Sequence, residues 1–454
     1  MYLKNKKISV LGFSSRTGVS LVKFLNNKGA EIIISDTKSR KDLDDLIKEI
    51  DGINCEFDFG GHSTKILDSD LIVLSPGVPL DIPILNKAEL LNIEIISEIE
   101  LAYRFCSAKI IAVTGTNGKT TTADLLGQML QGMDNKKVRT AGNIGIPLIS
   151  VVDDLNKDDI IVAEVSSFQL EAVKEFRPWI SIYLNYSPDH LDRHISEEDY
   201  KNAKFKIFSN QTKNDYALID IDDVYLNSIK SNIPARTLYL SQHNKNADLF
   251  IDNLKLVLKK DNKKIEILDY HYMNLPGDHN KKNAAFAAAA AYLCGQDKTT
   301  IRNVLKNYSL KEHRMEFIQN RSNFTFVDDS KATNPAAAIK AVESFKQPVV
   351  LIAGGQDRNA DFNKLIDVID RKVKFLILLG ETADQIYDLA AKKTSVAAVK
   401  VSNMQEAVKT AFKKMEAGDC LLLSPACPSW DMYESYKVRG SIFKKEVKNM
   451  LNPQ

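Results

Sequence analysis

The stretch IIAVTGTNGKTTT, Ile110–Thr122, decides the fold of the central part of this chain. Its apolar run ends at Gly115, a second glycine stands at Gly118, and Lys119 is followed by the helical pattern TTTADLLGQML. A strand that passes through a glycine-containing loop into a helix indicates an α/β sheet. Such a loop binds phosphate, because its backbone N–H groups and the helix N-terminus attract anions. The alternative is a tight strand-to-helix turn whose lysine faces solvent.

We expect this loop to bind ATP, with contacts from seven consecutive residues. They are Gly115, Thr116, Asn117, Gly118, Lys119, Thr120 and Thr121. Lys119 would reach the β and γ phosphates, and the Thr120 hydroxyl would bind Mg²⁺. Val113 departs from the general motif G-x-x-x-x-G-K-[ST], since it stands where the first glycine belongs.

Length and composition indicate a multidomain globular protein. The chain has 454 residues, of which 44% are apolar and 26% charged. Its formal net charge of only +2 gives no global basic field, so we expect neither a nucleic-acid nor a membrane partner. The five cysteines include no C-x-x-C pair, and the N-terminus lacks the apolar segment of a signal peptide. These features favour a reducing, cytoplasmic setting.

Strand and helix patterns alternate in three series, which predicts an α/β protein of three domains. We expect the domains to span residues 1–97, 98–309 and 310–454. The first and third are predicted to be Rossmann-like, and the central one to be a P-loop ATPase-like parallel sheet. The lysine-rich stretch from about 240 to about 275 has short alternating runs and predicts an antiparallel appendage.

The N-terminal segment VLGFSSRTG, followed by IIISD, has the outline of a dinucleotide fingerprint with its distal acid, Asp36. Ser14 replaces the second glycine, the position at which the backbone must approach a pyrophosphate. A nucleotide-dependent oxidoreductase is therefore a rival interpretation from another reaction class. It leaves the Gly-Lys-Thr-Thr loop without a role. A nonenzymatic P-loop switch is a second rival.

The loop T-G-T-N-G-K-T-T resembles that of the Mur ligase and folylpolyglutamate synthetase superfamily, which uses ATP to couple a carboxylate to an amine. Further segments match the family in the same order along nearly the whole chain. They are AGNIGIP, AEVSSFQLE, LNYSPDHLDRH, NAKFKIF, PGDHNKKNAAFA, EHRMEF and DDSKATNP. DSKATN and LLSPACPSWDMY resemble the members that add D-glutamate. The resemblance implies ligation of D-glutamate to UDP-N-acetylmuramoyl-L-alanine through an acyl phosphate, in peptidoglycan precursor synthesis. The alternative is a Mur-type ligase for another amino acid.

The resemblance also implies a catalytic and metal-binding set. Lys119, His190 and Lys204 would be catalytic, and two Mg²⁺ ions would be held by Thr120, Glu164, His190 and Lys204. Lys204 matches a lysine that the family carbamylates, which requires an uncharged amine. Without the family, Glu164 would be a helix cap, and Lys204 one cation on a basic helix face.

Three ligand sets follow from the same resemblance, and we expect the protein to be a monomer. Further ATP contacts would come from Asn280, Asn283, Arg314 and Asp329, although the asparagines also suit helix capping. The UDP part of the substrate would contact Ser14, Ser15, Arg16, Thr17, Asp36, Thr37, Ser75, Pro76, Gly77 and Asn143. D-Glutamate would contact Lys331, Thr333, Arg358, Ser429 and Tyr436. Arg358 and Tyr436 depart from the commoner lysine and phenylalanine.

Overall fold

A computed structural model of the chain describes residues 2–190, 193–260, 263–273, 275, 277–309, 312–318 and 323–451. Its strands form three sheets flanked by helices. By compactness the chain divides into two units. The first comprises residues 1–186, 196–273 and 282–306, and the second comprises residues 187–195, 274–281 and 307–454.

The first sheet is parallel throughout and belongs to the first unit. Its strands are β1 (Lys7–Leu11), β2 (Glu31–Asp36), β3 (Cys55–Phe59), β4 (Leu71–Leu74) and β5 (Glu94–Ser97). Its helices are α1 (Thr17–Asn27), α2 (Arg40–Lys48), α3 (Pro83–Leu90) and α4 (Glu98–Phe105). In the order β3-β2-β1-β4-β5, the chain crosses from one side of β1 to the other. This switch point is where open α/β sheets bind ligands.

The second sheet also lies in the first unit and has nine strands in the order β14-β13-β12-β11-β10-β9-β6-β8-β7. They are β6 (Lys109–Thr114), β7 (Val138–Gly142), β8 (Ile160–Glu164), β9 (Ile180–Tyr183), β10 (Tyr216–Asp220), β11 (Arg236–Ser241), β12 (Leu249–Asp252), β13 (Lys255–Lys260) and β14 (Lys263–Asp269). The helices of this part of the chain are α5 (Lys119–Leu130), α6 (Ser167–Glu171), α7 (Glu197–Phe205), α8 (Val224–Ile229), α9 (Asp278–Leu293) and α10 (Lys298–Asn307). β12, β13 and β14 pair antiparallel, as the alternating runs predicted.

The third sheet forms the second unit, in the order β15-β16-β20-β17-β18-β19. Its strands are β15 (Glu316–Ile318), β16 (Thr325–Asp328), β17 (Val349–Ala353), β18 (Val373–Leu378), β19 (Ala397–Lys400) and β20 (Cys420–Leu423). Its helices are α11 (Pro335–Glu343), α12 (Asn363–Lys372), α13 (Ala383–Lys393), α14 (Met404–Lys414) and α15 (Tyr436–Leu451). Only β15 pairs antiparallel. Among the described helices, none has the length and apolar character that a membrane span needs.

A buried carboxylate ties α4 to the segment before β9 within the first unit. Glu100 is fully buried, and its oxygens accept hydrogen bonds from the backbone N–H groups of Lys174, Glu175 and Phe176 at 2.9–3.1 Å. Arg104 Nε donates to the same carboxylate at 2.9 Å. The buried Phe176 N–H depends on this side chain most, because a buried donor left without an acceptor is costly. Arg104 also pairs with Glu94 at 2.6 Å.

We expect Glu100→Ala to lower the free energy of unfolding by about 2 kcal/mol, since it leaves the buried Phe176 N–H without an acceptor and removes one of the two carboxylates that pair with Arg104. Urea unfolding followed by far-UV circular dichroism measures the change. The control is Glu89→Ala, which truncates an exposed glutamate of α3 and should change stability by less than about 0.5 kcal/mol. Equal losses in the two variants would contradict the role of Glu100.

Candidate functional site

The loop between β6 and α5 has a backbone that only glycine adopts without strain. Gly115 has φ 145° and Gly118 has φ 88°. A Cβ on Gly118 would overlap Asn283 Oδ1, and one on Gly115 would lie 3.0 Å from Leu184 Cβ. The two glycines thus allow the loop to curl tightly ahead of the helix N-terminus, which is the arrangement that binds phosphate.

Asn185, just after β9, holds this loop in place. Its carbonyl oxygen accepts from Thr116 N at 3.0 Å, and its side-chain oxygen accepts from Asn117 N at 3.0 Å. Its Nδ2 donates back to the Asn117 carbonyl at 3.0 Å. The three hydrogen bonds fix the backbone of the loop from the neighbouring strand.

Two lysine side chains converge on the carbonyl oxygen of Gly115. Lys119 Nζ donates to this oxygen and to the Thr116 carbonyl, each at 2.9 Å. Lys204 Nζ, on α7, also donates to Gly115 O at 2.9 Å. Lys204 is only 1% exposed and lies 4.7 Å from the centre of the Tyr200 ring. Two amines meet at one carbonyl oxygen of the loop, and the positive charge of an ammonium group there favours an anion.

Oxygen ligands lie beside the same loop. Glu164 ends β8, is 3% exposed, and stands in register with Val113 of β6 and Gly142 of β7. Asn143 Nδ2 donates to Glu164 Oε1 at 3.2 Å. In the described part of the chain, no lysine or arginine pairs with this buried carboxylate. Thr120 is also buried, in the first turn of α5. Hard oxygen ligands of this kind suit Mg²⁺.

A cleft of about 830 Å³ lies at the carboxyl ends of the first sheet. All ten residues that the family resemblance assigns to the UDP part of a substrate line it, from Ser14 to Asn143. Lys38, His62 and Gln169 line it too. The ten residues expected from the resemblance therefore line one cleft, whereas Lys38, His62 and Gln169 were not expected there.

Hydrogen bonds fix the loops around the cleft. Asp36 accepts from Phe13 N at 2.6 Å and from Lys38 N at 2.9 Å. Ser75 Oγ donates to the Gly12 carbonyl at 2.6 Å. Arg16, just before α1, donates to the carbonyls of Gly142 and Asn143 at 3.1 Å. The switch point of the first sheet is thereby tied to the end of β7 in the second sheet.

In the second unit, the residues expected for D-glutamate come together around β16 and β20. Lys331 Nζ lies 3.8 Å from the centre of the Tyr436 ring. Ser429 is buried, and Thr333 directly precedes the Asn334 cap of α11. Arg358 lies 4.9 Å from the centre of the ring of Trp430, the neighbour of Ser429. The two cations, the hydroxyls and two aromatic rings therefore share one region of this unit.

Arg439 joins the two loops that carry this region. It is 1% exposed, and its Nε and Nη2 donate to the side chain and carbonyl of Ser330 at 3.0 and 2.9 Å. Its Nη groups also donate to the carbonyls of Cys427 and Pro428 at 3.0 and 3.1 Å. The sequence offered no signal for this role, because Y-K-V-R-G reads as an ordinary helical pattern.

His190 belongs to the second unit, whereas Thr120, Glu164 and Lys204 belong to the first. Arg358 Nη1 lies 3.2 Å from His190 Nδ1, and Asn334 Nδ2 donates to Asp189 Oδ2 at 2.8 Å. His190 adopts a positive φ of 57°. Its grouping with Arg358 was not predicted from sequence.

Of the other residues expected to contact ATP, one belongs to the first unit and the rest belong to the second. Asn283 lies in the first unit against Gly118, and Asn280 is a buried residue of the second. Asp329, also in the second unit, accepts from Ser424 Oγ at 2.9 Å and from Met315 N at 3.2 Å. Burial raises the pKa of Asp329 to about 7, and the positive charge of Arg314 opposes that rise.

Each of the three sheets lies in a part of the chain that matches a domain of one protein family. Residues 6–97 match "Mur ligase MurD-like, N-terminal domain", residues 113–291 match "Mur ligase middle domain", and residues 313–427 match "Mur ligase, glutamate ligase domain". The chain belongs to the Mur ligase family. Mur ligases are ATP-dependent enzymes that form amide bonds. The prediction of a three-domain α/β ligase is confirmed.

Two full-length relatives carry the name UDP-N-acetylmuramoylalanine--D-glutamate ligase. The protein of Alkaliphilus metalliredigens is 41% identical over 454 residues, 99% of each chain. That of Clostridioides difficile is 41% identical over 453 residues, 99% of this chain and 100% of the relative.

Solved Mur ligase structures share the fold at lower identity. MurF of Acinetobacter baumannii superposes with a TM-score of 0.63 at 16% identity, covering 96% of this chain and 93% of its own. MurF of Thermotoga maritima, solved in complex with ADP, gives a TM-score of 0.59 at 15% identity and covers 97% of this chain and 98% of its own.

The raised pKa of Asp329 predicts that the stability of this Mur ligase depends on pH. Because its pKa rises from 3.8 to about 7 on folding, the folded chain keeps a proton that the unfolded chain releases between these values. The contribution of Asp329 to the free energy of unfolding therefore falls as pH rises from about 4 to about 7.

We expect the stability of Asp329→Asn relative to the wild-type chain, measured by urea unfolding, to rise as pH increases from about 4 to about 7, since the amide does not titrate. The control is Asp370→Asn, at an exposed position of α12, which should leave the wild-type slope unchanged. A stability difference between Asp329→Asn and the wild-type chain that stays constant or falls across that range would show that this carboxyl is not the responsible group.

Proposed function

We propose that the chain catalyses ATP-dependent addition of D-glutamate to UDP-N-acetylmuramoyl-L-alanine, in peptidoglycan precursor synthesis. The observation that carries this proposal is full-length likeness, at 41% identity, to ligases with the corresponding name. The region of the second unit that contains Lys331, Arg358 and several hydroxyl groups also supports this proposal. Neither a nucleotide switch nor an oxidoreductase requires a pocket that binds an amino acid.

The domains of this ligase are proposed to be residues 1–97 for the UDP-linked substrate, 98–309 for ATP and 310–454 for the amino acid. The family matches support this division, since each falls within one of the proposed ranges. We also take the enzyme to act as a monomer in the cytoplasm, which gel filtration and cell fractionation would test.

The UDP-linked substrate is assigned to the cleft of the first sheet. Asp36 and Thr37, at the carboxyl end of β2, would hold the uridine, because doubly wound folds bind a nucleoside there. Ser14, Ser15, Arg16 and Thr17 would hold the diphosphate, because they lie at the positive N-terminal end of α1. Arg16 adds a full positive charge there.

The reaction activates a carboxylate before the amine attacks. An oxygen of the terminal alanine carboxylate attacks the γ-phosphorus of ATP, the bond to the β–γ bridging oxygen breaks, and ADP leaves. The D-glutamate amine, once deprotonated, then attacks the acyl carbon and displaces inorganic phosphate. Lys119 would leave the Gly115 carbonyl for the γ-phosphate, stabilising charge that develops during transfer.

The oxygen ligands beside the phosphate loop suit Mg²⁺, and two such ions, when bound, would neutralise charge on the phosphates. The buried carboxylate of Glu164 and the Thr120 hydroxyl would hold one ion, with Lys204 and His190 contributing to the other. Lys204 would serve as a carbamate, formed when its uncharged amine attacks CO₂ and a proton is released. The crowding of Lys204 and Lys119 at one carbonyl supports this, because two adjacent ammonium groups repel each other.

D-Glutamate is assigned to Lys331, Thr333, Arg358, Ser429 and Tyr436. Lys331 and Arg358 would each neutralise one of its two carboxylates, with hydroxyl groups completing the hydrogen bonds. Packing against Tyr436 and Trp430 restricts the two cations before the amino acid arrives. Such restriction reduces the entropy lost on binding.

The loop assignment predicts the effect of Gly118→Ala. A Cβ at Gly118 would overlap Asn283 Oδ1 in addition to straining a positive φ, so we expect ADP–Mg²⁺ affinity to fall at least about tenfold. Isothermal titration calorimetry measures it. Gly132→Ala is the matched control, because Gly132 has φ 76° but open space around its Cβ. Equal affinities for the two variants would count against the loop assignment.

The proposed reaction predicts phosphate release that depends on one amino acid. With ATP, Mg²⁺ and UDP-N-acetylmuramoyl-L-alanine, we expect D-glutamate to stimulate release at least about tenfold more than L-glutamate, L-lysine or diaminopimelate. Lys331→Met should remove most of the stimulation, whereas Lys364→Met, at an exposed position of α12, should retain it. Equal release with all four amino acids, or with none, would refute the assignment.

A further inference from the structure

A histidine with no assigned role lines the cleft of the first sheet. His62 follows the turn of Gly60 and Gly61 after β3, and it borders the same cleft as Asp36 and Thr37. β3 pairs with β2 in parallel, so the residues after the two strands meet at one edge of the sheet. His62 therefore stands beside the residues proposed to hold the uridine.

Hydrogen bonds determine which nitrogen of the His62 ring carries the proton. Ser35 Oγ lies 2.9 Å from Asp58 Oδ2 and 2.8 Å from His62 Nδ1. Burial alone would raise the pKa of Asp58, but hydrogen bonds from Ser63 and Ser35 together lower it, so the carboxylate is ionised and can only accept. The single Ser35 hydroxyl hydrogen thus goes to Asp58. The His62 ring must donate from Nδ1–H to Ser35 Oγ.

The other ring nitrogen is consequently a hydrogen-bond acceptor. Burial lowers the pKa of His62, against the opposing charges of Asp36 and Asp58, so the ring is neutral near pH 7. A neutral ring that is protonated at Nδ1 carries a lone pair at Nε2. Among the described residues, no hydrogen bond reaches Nε2, and the ring is half-buried at the cleft. An oriented acceptor is therefore available to a ligand there.

We propose that His62 is a specificity-determining residue for the UDP-linked substrate, and that its Nε2 accepts a hydrogen bond from the nucleoside. The donor is an N–H or O–H group, either the uracil imide or a ribose hydroxyl. Asp36 is a separate acceptor on the neighbouring strand β2, and its two oxygens already accept the Phe13 and Lys38 N–H groups. The inference rests on the proposed function, since it takes the cleft to hold the UDP group.

Two substitutions separate the two ring nitrogens. His62→Asn keeps a polar atom near the Nδ1 position but reaches no further, whereas His62→Gln can carry its amide oxygen to about the Nε2 position. We expect His62→Asn to raise the KM for the UDP-linked substrate about fivefold, the cost of one neutral hydrogen bond, with kcat and the KM values for ATP and D-glutamate unchanged. His62→Gln should recover most of the wild-type KM.

His271→Asn is the matched control, because His271 is an exposed histidine of the same unit that does not line the cleft. It should leave all three KM values unchanged. A wild-type KM for the UDP-linked substrate in His62→Asn would overturn the proposal, as would an equal rise in His62→Asn and His62→Gln.

Substrate analogues identify the donor. Affinities for UDP, 3-methyl-UDP, 2′-deoxy-UDP and 3′-deoxy-UDP are measured by calorimetry for wild-type protein and His62→Asn. If the imide is the donor, methylation should cost wild-type protein about fivefold more affinity than it costs the variant; if a ribose hydroxyl is, the corresponding deoxy analogue should show that excess. The absence of an excess with every analogue would overturn the proposal.

A measurement on the wild-type chain does not depend on the variants folding. In ¹⁵N spectra of the imidazole side chains, His62 should show a proton on Nδ1, and adding UDP should move the Nε2 resonance. A proton on Nε2, or no movement at saturating UDP, would overturn the inference. If the proposed function were wrong, wild-type protein would fail to turn over the UDP-linked substrate; if only His62 were misassigned, turnover would persist with unchanged KM values in the variants.

Discussion

The carbonyl oxygen of Gly115 is the point on which the phosphate loop depends, because it accepts hydrogen bonds from both Lys119 and Lys204. This convergence requires a glycine backbone that turns sharply after β6 and a partner, Asn185, that fixes the turn from β9. It brings two amines to a place where their mutual repulsion is relieved by an anion or by modification of one amine. The loop is thus held ready for a polyphosphate.

Within the first unit, the phosphate loop is connected to the cleft of the first sheet. The switch point of the first sheet opens a cleft lined by all the residues expected at a UDP group, and Arg16 links that cleft to the end of β7. Glu164, at the end of β8, is in register with Gly142 of β7 and bonds to Asn143, which also lines the cleft. One sheet edge therefore connects the proposed nucleotide site with the proposed substrate cleft. The second unit supplies its own cations, backed by aromatic rings.

Much of this could be predicted from the sequence, because the informative residues follow apolar strands. The apolar runs that lead to Gly115, Glu164 and Asp36 predict buried parallel strands, and ligand-binding residues lie at the carboxyl ends of such strands. The edge strand β3, CEFDF, was missed because it lacks the continuous apolar run of β2 and β4, and His62, which follows it, was missed with it. The structural role of Arg439 could not be predicted, since it donates hydrogen bonds to two loops that are distant in sequence and meet only in the folded protein. His190 was expected with Glu164 and Lys204, yet its grouping with Arg358 depends on how a loop packs within the second unit.

A crystal structure of the chain with an unhydrolysable ATP analogue and Mg²⁺ tests the central claim most directly. We predict phosphates bound by the backbone N–H groups of residues 118–120, with Lys119 Nζ moved from the Gly115 carbonyl to the terminal phosphate. A fully occupied nucleotide bound elsewhere, with Lys119 still on Gly115 O, would contradict it.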